Sequence, residues 1–337
     1  MFAKFTKKIA IDLGTANSIV FLVGKGIVLN EPTVVAVSTD DNKVLAVGLE
    51  AKEMLGRTPE NITASHPLKS GVIADYLVTE AMLRYFLGKA TGVNFFFKPE
   101  VILSVPVGVT SVEARAVVDA TLSAGAKTAY LIPEPLAAAI GAKVPISSPS
   151  GNMIVNSGGG TTEVAMISLG GIVVSHSVRV AGNSLDEAIV SYLRHKYGLL
   201  IGERTAEEIK IKIGSALKLE PSQNLEVKGR DTISGLPRTH SVSSDEITEA
   251  LDEPLREICQ GIKQVLEKTP PELASDVIDK GMILSGGTSL LRGFGLLLSQ
   301  ATGVPSHVAD DPLLCVVKGA AVALENLDYF RKSLSSR

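Results

Sequence analysis

The sequence predicts an α/β protein made of two related domains, with a ligand cleft between them and two small subdomains attached. Three observations support this prediction. A segment of strands and glycine-rich turns occurs twice, short apolar runs alternate with helical stretches, and 337 residues suffice for two domains of ordinary size. Alternating strands and helices are typical of parallel or mixed sheets covered by helices.

The repeated segment lies once near the N-terminus and once near the middle of the chain. Each copy reads as a buried strand, a turn rich in Gly and Thr, a second apolar strand, a Gly-containing turn and a third strand. Asp12 in the first copy corresponds to Asn156 in the second, and Gly14 corresponds to Gly158. Such a duplication predicts two equivalent turns on opposite walls of one cleft.

The remaining elements follow from the apolar periodicity. Strands are predicted from Val101 and from Ala129. Helices are predicted over residues 111–124, 134–141, 184–197 and 205–216. The polar segment 219–241 and the stretch 33–64 are predicted to form small peripheral subdomains.

Composition and charge exclude several classes of protein. A content of 45% hydrophobic and 20% charged residues fits a globular chain with a large core. A net charge of -3 gives no electrostatic support for nucleic-acid binding. Cys259 and Cys315 form no CxxC motif and are expected to be buried thiols in a reducing compartment. With no signal peptide and no apolar run near the ~20 residues that span a bilayer, a soluble cytoplasmic protein is expected.

Glycine-rich turns between strands expose consecutive backbone N–H groups, which bind phosphate without side-chain charge. One such turn alone is weak evidence, since most are structural. Here two stand in equivalent places and carry hydroxyl or amide side chains, namely Thr15 and Asn17 in the first and Thr161 and Thr162 in the second. Two facing turns could hold a polyphosphate from both sides.

A third glycine motif strengthens the phosphate interpretation. A buried strand from Met282 ends in Gly286, Gly287 and Thr288 and passes into a helix. Glycines there allow a ligand to approach the backbone, and a helix N-terminus favours negative charge. The chain contains neither a Walker A motif nor a dinucleotide fingerprint.

Two carboxylates are candidates for chemistry at these turns. Asp12 ends the first strand, where a carboxylate suits a magnesium ion held through water, although it could simply cap the turn. Glu134 begins a helix of small residues, where it could orient or deprotonate water that attacks a γ-phosphate. An N-terminal Glu also stabilises the helix dipole without any catalytic role.

The three glycine motifs and the segment around Glu134 resemble the actin, sugar-kinase and DnaK-type ATPase superfamily. The resemblance to the MreB family of bacterial actin homologues is much closer and extends over nearly the whole chain. The segments that carry it are IDLGTANSIVF, GIVLNEPTVVAV, VGLEAKEMLGRTP, GVIADY, PEPLAAAIGA, GGGTTEVAMISLGGIV, IGERTAEEIKIKIG, EKTPPELASDVIDKGMILSGGTSLLRG and VVKGAAVAL.

This resemblance implies an actin-like (ribonuclease H-like) fold with duplicated domains of mixed five-stranded sheets flanked by helices. The nucleotide cleft lies between them. The implied subdomains are IA (1–32, 66–145 and 313–337), IB (33–65), IIA (146–181 and 243–312) and IIB (182–242).

The resemblance also implies an ATP or ADP site with Mg²⁺ held by Asp12 through water. The water-positioning glutamate would be Glu134, with Thr161 nearby. The implied nucleotide-binding residues are Gly14, Thr15, Ala16, Asn17, Gly158, Gly159, Gly160, Thr161, Thr162, Glu207, Glu208, Lys210, Gly286, Gly287, Thr288 and Ser289. Without the family, Glu207 and Lys210 would be interpreted as an exposed helix face with ordinary ion pairs.

One catalytic position departs from the family pattern. MreB proteins usually read VDIGGGTTE at the second phosphate turn, whereas this chain has Asn156 in place of the aspartate. An amide cannot carry negative charge, so the field at a metal-bound water would be weaker. Retained ATP binding with slowed hydrolysis is expected.

Membrane contact is predicted from two aromatic clusters. Phe95, Phe96 and Phe97 form an apolar loop where MreB-like proteins insert into the inner leaflet. Phe2 and Phe5 stand among basic residues that could lie on an anionic membrane surface. The alternatives are core residues that begin a strand and a frayed terminus.

The implied function is an ATP-dependent, membrane-bound filament protein that organises cell-wall synthesis and maintains rod shape. Implied partners are other copies in paired protofilaments, inner-membrane lipid and morphogenesis proteins of the RodZ, MreC and MreD type, but no nucleic acid. It would be cytoplasmic and peripheral at the membrane's inner face. A small-molecule kinase, a plasmid-segregating actin homologue and a chaperone-type ATPase module are the alternatives, and Mbl-type paralogues share the same motifs.

Overall fold

A computed structural model describes residues 6–41, 43–92, 98–331 and 334–336. The strands are β1 (Lys8–Leu13), β2 (Asn17–Leu22), β3 (Gly26–Pro32), β4 (Val35–Ser38), β5 (Val44–Val47), β6 (Ile62–Ser65), β7 (Leu68–Lys69), β8 (Val72–Ile73), β9 (Glu100–Val105), β10 (Thr128–Pro133), β11 (Asn152–Ser157), β12 (Thr162–Ser168), β13 (Gly171–Val178), β14 (Leu199–Leu200), β15 (Asn224–Asp231), β16 (Pro237–Ser243), β17 (Met282–Ser285), β18 (Ser306–Val308) and β19 (Ser335–Ser336). The α-helices are α1 (Leu49–Met54), α2 (Tyr76–Thr91), α3 (Ser111–Ser123), α4 (Glu134–Gly141), α5 (Gly182–Tyr197), α6 (Glu203–Ile213), α7 (Ser244–Lys268), α8 (Pro271–Lys280), α9 (Phe294–Thr302), α10 (Cys315–Glu325) and α11 (Leu327–Phe330).

Two mixed sheets with the same internal order form the centre of the molecule. The first sheet has the order β19-β10-β9-β1-β2-β3 and the second has the order β13-β12-β11-β17-β18. In each, the repeated segment makes an antiparallel meander whose first strand pairs in parallel with the next strand of the sheet. The common topology agrees with the duplication that the sequence repeat predicts.

The first sheet differs from the five strands expected for each half. The short strand β19 adds a sixth member because it pairs antiparallel with β10 through Tyr130 and Leu131. Parallel β10 would otherwise be the edge of the sheet, and an edge strand has free peptide groups to pair.

Smaller sheets lie outside the two central ones. Strands β4, β5 and β6 form one three-stranded sheet, and strands β14, β15 and β16 form another. Helix α1 packs on the first of them, where Ala51 joins a small core with Val34, Ala36 and Ala46. The second is followed along the chain by α7. The polar segment 219–241 thus contains the long hairpin of β15 and β16.

Helices predicted from periodicity agree closely with the structure. Residues 111–124, 134–141 and 184–197 correspond to α3, α4 and α5. Helix α6 ends at Ile213, before the predicted end at residue 216, because the backbone at Gly214 becomes extended and Ser215 forms a β-bridge with Arg292. Among the described residues, no helix combines the length and apolar character that crossing a bilayer requires.

Each sheet has a core on both of its faces. Successive side chains of a strand point to opposite faces, so neighbouring residues enter different cores. Ile9 and Ile11 of β1 point into an outer core with α2 and α3. Met153 and Val155 of β11 point into an outer core with α5, α6 and α7. Their neighbours Ala10 and Ile154 point the other way, into a central core that both sheets share.

Helices α4 and α10 fill that central core and join the two sheets. Their contact is close because glycines stand where they meet. A Cβ at Gly319 would lie 1.8 Å from the carbonyl oxygen of Ala137, and one at Gly141 would lie 1.8 Å from that of Cys315. Only residues without a side chain fit these positions, so the small-residue segment around Glu134 is a packing surface as well as a functional one.

We expect Gly319→Ala to destabilise the protein by about 3 kcal/mol, because the new methyl group must push two helix backbones apart. Gly88→Ala is the matched control, since Gly88 is also helical and has no heavy atom within 4 Å of its ideal Cβ. That control should be neutral or stabilising by up to about 1 kcal/mol. Urea denaturation of both variants measures the difference, and equal stability of the two would contradict the packing account.

Candidate functional site

A cavity of about 540 Å³ lies between the ends of the two central sheets. This volume is typical of sites for small ligands. The residues that line it come from every glycine motif and from both halves of the repeat. They are Asp12, Gly14, Thr15, Ala16, Asn17, Ile19, Asn30, Gly71, Glu134, Asn156, Gly158, Gly159, Gly160, Thr161, Gly182, Asn183, Leu185, Asp186, Glu207, Lys210, Ile211, Gly214, Gly286, Gly287, Thr288, Leu290, Leu291, Arg292, Pro312, Leu313 and Val316.

The two glycine-rich turns touch each other at the floor of this cavity. A Cβ at Gly159 would lie 2.5 Å from Cβ of Ala16, and a Cβ at Gly160 would lie 2.3 Å from Oγ1 of Thr15. The Gly158 N–H closes the second turn by donating to the carbonyl oxygen of Thr161 at 2.9 Å. Backbone groups of both turns therefore line one small volume, as a shared polyphosphate site requires.

The third glycine motif packs directly on the second turn. Gly286 has a φ of 83°, and a Cβ there would lie 2.2 Å from the carbonyl oxygen of Ser157. Thr288 donates its hydroxyl proton to the carbonyl oxygen of Gly158 at 2.8 Å. Glycine is required at this position both for the left-handed backbone and for the close approach.

Helix α5 begins at the same place and holds the second turn from another side. The Gly182 N–H donates to the carbonyl oxygen of Gly158 at 3.2 Å, and the Asn183 N–H donates to that of Gly159 at 2.8 Å. Both residues line the cavity. The N-terminus of a 16-residue helix thus adds its positive end to the site.

Three carboxylates stand close together beneath the turns, of which those of Glu134 and Glu163 are buried and that of Asp12 is half-buried. Asp12 accepts a hydrogen bond from the hydroxyl of Ser104 at 2.7 Å. Glu134, in the first turn of α4, accepts one from Nδ2 of Asn156 at 3.3 Å. Glu163 accepts from the Val107 N–H at 2.9 Å, and this bond joins β12 to the segment after β9 of the other half.

Burial in this cluster opposes ionisation. It raises the pKa of Asp12 to about 6, and the hydrogen bond from Ser104 offsets the effect only in part. Burial, followed by the negative charges of Glu163 and Asp12, raises the pKa of Glu134 well above its usual range. Burial also raises the pKa of Glu163, although it accepts hydrogen bonds from Ser177, the Val107 N–H and Thr161. A cation or a set of donors brought by a ligand would stabilise the ionised forms.

The opposite end of the cavity is largely aliphatic. Ile211, Leu290 and Leu313 line it although each is exposed to solvent, at 66%, 57% and 47%. Exposed apolar side chains gathered at the rim of a polar cavity are suited to an apolar or aromatic part of a ligand.

Polar groups of α5 and α6 border that aliphatic end. Lys210 donates to the carbonyl oxygen of Gly182 and to Oδ2 of Asp186, both at 2.8 Å. Burial raises the pKa of Asp186 to about 6 in spite of this lysine. Glu207 forms an ion pair of 2.9 Å with Lys52 of α1, which connects the two small sheets across the mouth of the cavity.

Most of the predicted site residues line the cavity, but three do not. Thr162 is buried and donates its hydroxyl to the carbonyl oxygen of Val180. Ser289 is buried and donates to the carbonyl oxygen of Gly286. Glu208 lies one residue beyond Glu207, on the outer face of α6, where it pairs with Arg204 and Lys212. The structure therefore gives these three residues supporting or surface positions.

The predicted membrane residues cannot be placed. Phe2, Phe5, Phe95, Phe96 and Phe97 lie outside the described residues.

Several lining residues carried no signal in the sequence. Asp186 and Asn183 lie in the first turns of an amphipathic helix, and Asn30 lies at the end of a strand. Only the fold brings these side chains to the cavity, although the position of α5 after the third strand of the repeat could have suggested its N-terminus.

Comparison with known proteins agrees with this geometry. The profile of the family described as MreB/Mbl protein matches residues 6–332. A cell shape-determining protein Mbl of Bacillus cereus is 52% identical over 328 residues, which cover 97% of this chain and 98% of that protein. A cell shape-determining protein MreB of Escherichia coli is 52% identical over 338 residues, which cover 98% of this chain and 97% of that protein.

Solved structures give the same result for the fold. MreB5 of Spiroplasma citri bound to AMPPNP has a TM-score of 0.92 at 36% identity, covering 97% of this chain and 98% of that one. Its form bound to ADP has the same TM-score, with 98% and 99% covered. MamK from a double helical filament has a TM-score of 0.80 at 20% identity over 94% of this chain and 99% of that one, a likeness of fold alone. The predicted actin-like fold is confirmed.

The buried carboxylates predict how stability depends on pH. An unfolded aspartate has a pKa of about 3.9, whereas folded Asp12 has a pKa of about 6. Between these values the folded state binds more protons, so the free energy of unfolding falls as pH rises from about 4 to about 6. Asp12 alone accounts for about 3 kcal/mol of this fall.

Urea denaturation in EDTA, between about pH 4 and about pH 7, measures the effect. Asp12→Asn should remove its share of the pH dependence and be the more stable form at neutral pH. The same change at the exposed Asp40 is the control and should leave the pH dependence as it is. Identical pH profiles for Asp12→Asn and the native chain would show that Asp12 is not held protonated by burial.

Proposed function

The chain belongs to the MreB/Mbl family of actin-like cell shape-determining proteins, and on that premise we propose that it binds ATP in the cavity and assembles into membrane-associated filaments. The observation that carries the proposal is the contact between the two glycine-rich turns. Turns from opposite halves of the molecule, reinforced by the N-terminus of α5, create one anion site that needs no lysine or arginine.

The shape of the cavity supports an orientation for the nucleotide. Its polar end, at the two glycine-rich turns, would hold the phosphates through backbone N–H groups other than that of Gly158, which already donates to Thr161. Its aliphatic end, at Ile211, Leu290 and Leu313, would hold the base. Lys210 and Glu207 lie between these ends and would contact the ribose. The Spiroplasma citri relative that was solved with AMPPNP and with ADP supports an adenine nucleotide.

The same cluster of acids fits a magnesium ion. Asp12 lines the phosphate end of the cavity, where its surroundings raise the pKa of its carboxyl to about 6, and a nearby cation would stabilise the ionised form. The described residues contain no group of three His, Cys, Asp or Glu side chains arranged as direct ligands. Water and phosphate oxygens would therefore supply most of the ligands, with Asp12 bonded through water. When bound, Mg²⁺ would neutralise phosphate charge.

Glu134 is the residue we assign to the positioning of water for ATP hydrolysis. It lies in the cavity beside the second turn and near Thr161, and it is the buried acid with access to the phosphate end from α4. Because Asn156 replaces the usual aspartate, the negative charge around a metal-bound water is reduced. Hydrolysis would consequently be slow while nucleotide binding is retained.

Asn156→Asp should therefore raise the rate of phosphate release in the presence of Mg²⁺ by about tenfold or more, with little change in ATP affinity. Single-turnover hydrolysis and calorimetric titration measure the two quantities. Without Mg²⁺ the variant should be less stable than the native chain, since two carboxylates would then face each other at the 3.3 Å contact with Glu134. An unchanged turnover would rule out the idea that Asn156 limits hydrolysis.

Filament formation follows from the family and from the fold shared with a filament-forming protein, MamK. The filaments would consist of paired protofilaments that organise cell-wall synthesis at the inner face of the membrane. Their partners would be proteins of the RodZ, MreC and MreD type. The ion pair between Lys52 and Glu207 supports a link between nucleotide and assembly, because it spans the cavity mouth and would respond to what the cavity contains.

Electron microscopy of the full chain tests assembly and membrane contact together. With Mg²⁺ and ATP we expect paired filaments, and with anionic liposomes we expect them to lie on the lipid. Replacing Phe95 and Phe96 with Ser should abolish co-sedimentation with liposomes and leave filaments in solution. Lipid binding that survives this change excludes the loop as the anchor. A persistent monomer with ATP, together with phosphotransfer to a small molecule, would favour a kinase of the same superfamily.

A further inference from the structure

A chain of two buried hydrogen bonds links β17 to Glu134. Ser285 donates its hydroxyl proton to Oδ1 of Asn156 at 2.9 Å. Asn156 in turn donates from Nδ2 to Oε2 of Glu134 at 3.3 Å. The three side chains belong to residues with exposed fractions of 0%, 4% and 8%, so water does not replace these bonds readily. Ser285 and Asn156 are direct partners in the parallel register of β17 and β11.

The donor and acceptor groups of the three side chains fix the direction of these two hydrogen bonds. Nδ2 of Asn156 faces Oε2 of Glu134, and because an amide nitrogen only donates, Oε2 is the acceptor in this bond. The amide oxygen is then left pointing at β17, where it is buried and needs a donor. Ser285 supplies that donor. Without the hydroxyl, the orientation that serves Glu134 would leave a buried carbonyl oxygen unpaired, which is unfavourable.

The first half of the molecule contains the same arrangement. Ser104 of β9 donates to Oδ1 of Asp12 at 2.7 Å, and β9 is the parallel neighbour of β1 as β17 is of β11. The two halves differ in whether the residue at the end of the strand can donate a second hydrogen bond. A carboxylate such as Asp12 has no proton to pass on, whereas the amide of Asn156 can donate to another acid. The onward bond to Glu134 therefore exists only in the second half.

Glu134 depends on this bond for its position. Among the residues that the structure describes, Asn156 is the side chain from which Glu134 accepts a hydrogen bond. Its other neighbours in the cluster, Asp12 and Glu163, are acids that repel it. A side chain with one attractive contact and two repulsive ones is held in place by the attractive contact.

We propose that Ser285 is a positioning residue, whose hydroxyl fixes the orientation of the Asn156 amide and through it the place of the Glu134 carboxylate. The expected effect on the rate of hydrolysis rests on the proposed function. The expected effect on the orientation of the Asn156 amide does not. Ser285 need not touch the nucleotide, and it does not line the cavity. Its effect should therefore appear in the rate of hydrolysis and not in the affinity for ATP.

The kinetic test compares Ser285→Ala in two backgrounds. In the native chain the change should slow single-turnover hydrolysis about fivefold to tenfold, with ATP affinity unchanged. In the Asn156→Asp background the same change should cost less than about twofold, because an aspartate has no N–H to donate and the link to Glu134 is already absent. The faster hydrolysis expected of that variant comes from the negative charge added at a metal-bound water, which outweighs the loss of the link. An equal loss in both backgrounds, or no loss in the native chain, would overturn the proposal.

A second measurement decides the proposal even if the native chain hydrolyses no ATP. In ¹⁵N-asparagine-labelled protein, the side-chain amide signal of Asn156 is identified by its disappearance in Asn156→Asp. Its protons should exchange slowly with solvent in the native chain and at least about tenfold faster in Ser285→Ala. Native exchange rates in Ser285→Ala would refute the positioning role. Absence of ATP turnover in the native chain would count against the proposed hydrolysis alone.

Discussion

The close contact between α4 and α10 is the constraint on which the rest of the molecule depends. Both helices lie in the core that the two sheets share, and glycines at 141 and 319 let their backbones touch. This spacing sets the distance between the sheets. A larger separation would draw the two glycine-rich turns apart, and the close approach of Gly160 to Thr15 and of Gly159 to Ala16 would be lost.

The duplicated topology places equivalent residues at the ends of β1 and β11, and these residues differ in chemistry. Asp12 and Asn156 occupy matching strand ends, each accepting a hydrogen bond from a serine on the neighbouring parallel strand. The acid is suited to a cation, whereas the amide can donate to a third side chain, Glu134. The difference between Asp12 and Asn156 thus gives the two equivalent positions different chemistry, because an aspartate carries charge and an amide donates a hydrogen bond.

Burial explains both the raised pKa values of the carboxylates and their effect on the stability of the fold. The three carboxylates of this cluster have raised pKa values chiefly because burial disfavours their ionised forms. Ionising these carboxylates at neutral pH therefore lowers the stability of the fold, and a cation bound beside them would offset that cost.

The sequence by itself determined the duplication, the glycine-rich turns, the places of α3, α4 and α5 and the MreB-like family, because these depend on local residue patterns. Only the tertiary structure decided which side chains meet. Glu208 and Glu207 are adjacent in the chain, yet one faces solvent and the other the cavity mouth. Asp186 lines the cavity, and Ser285 contacts Asn156 behind it, through helix packing and strand register, which join residues far apart in sequence and leave no local pattern to detect.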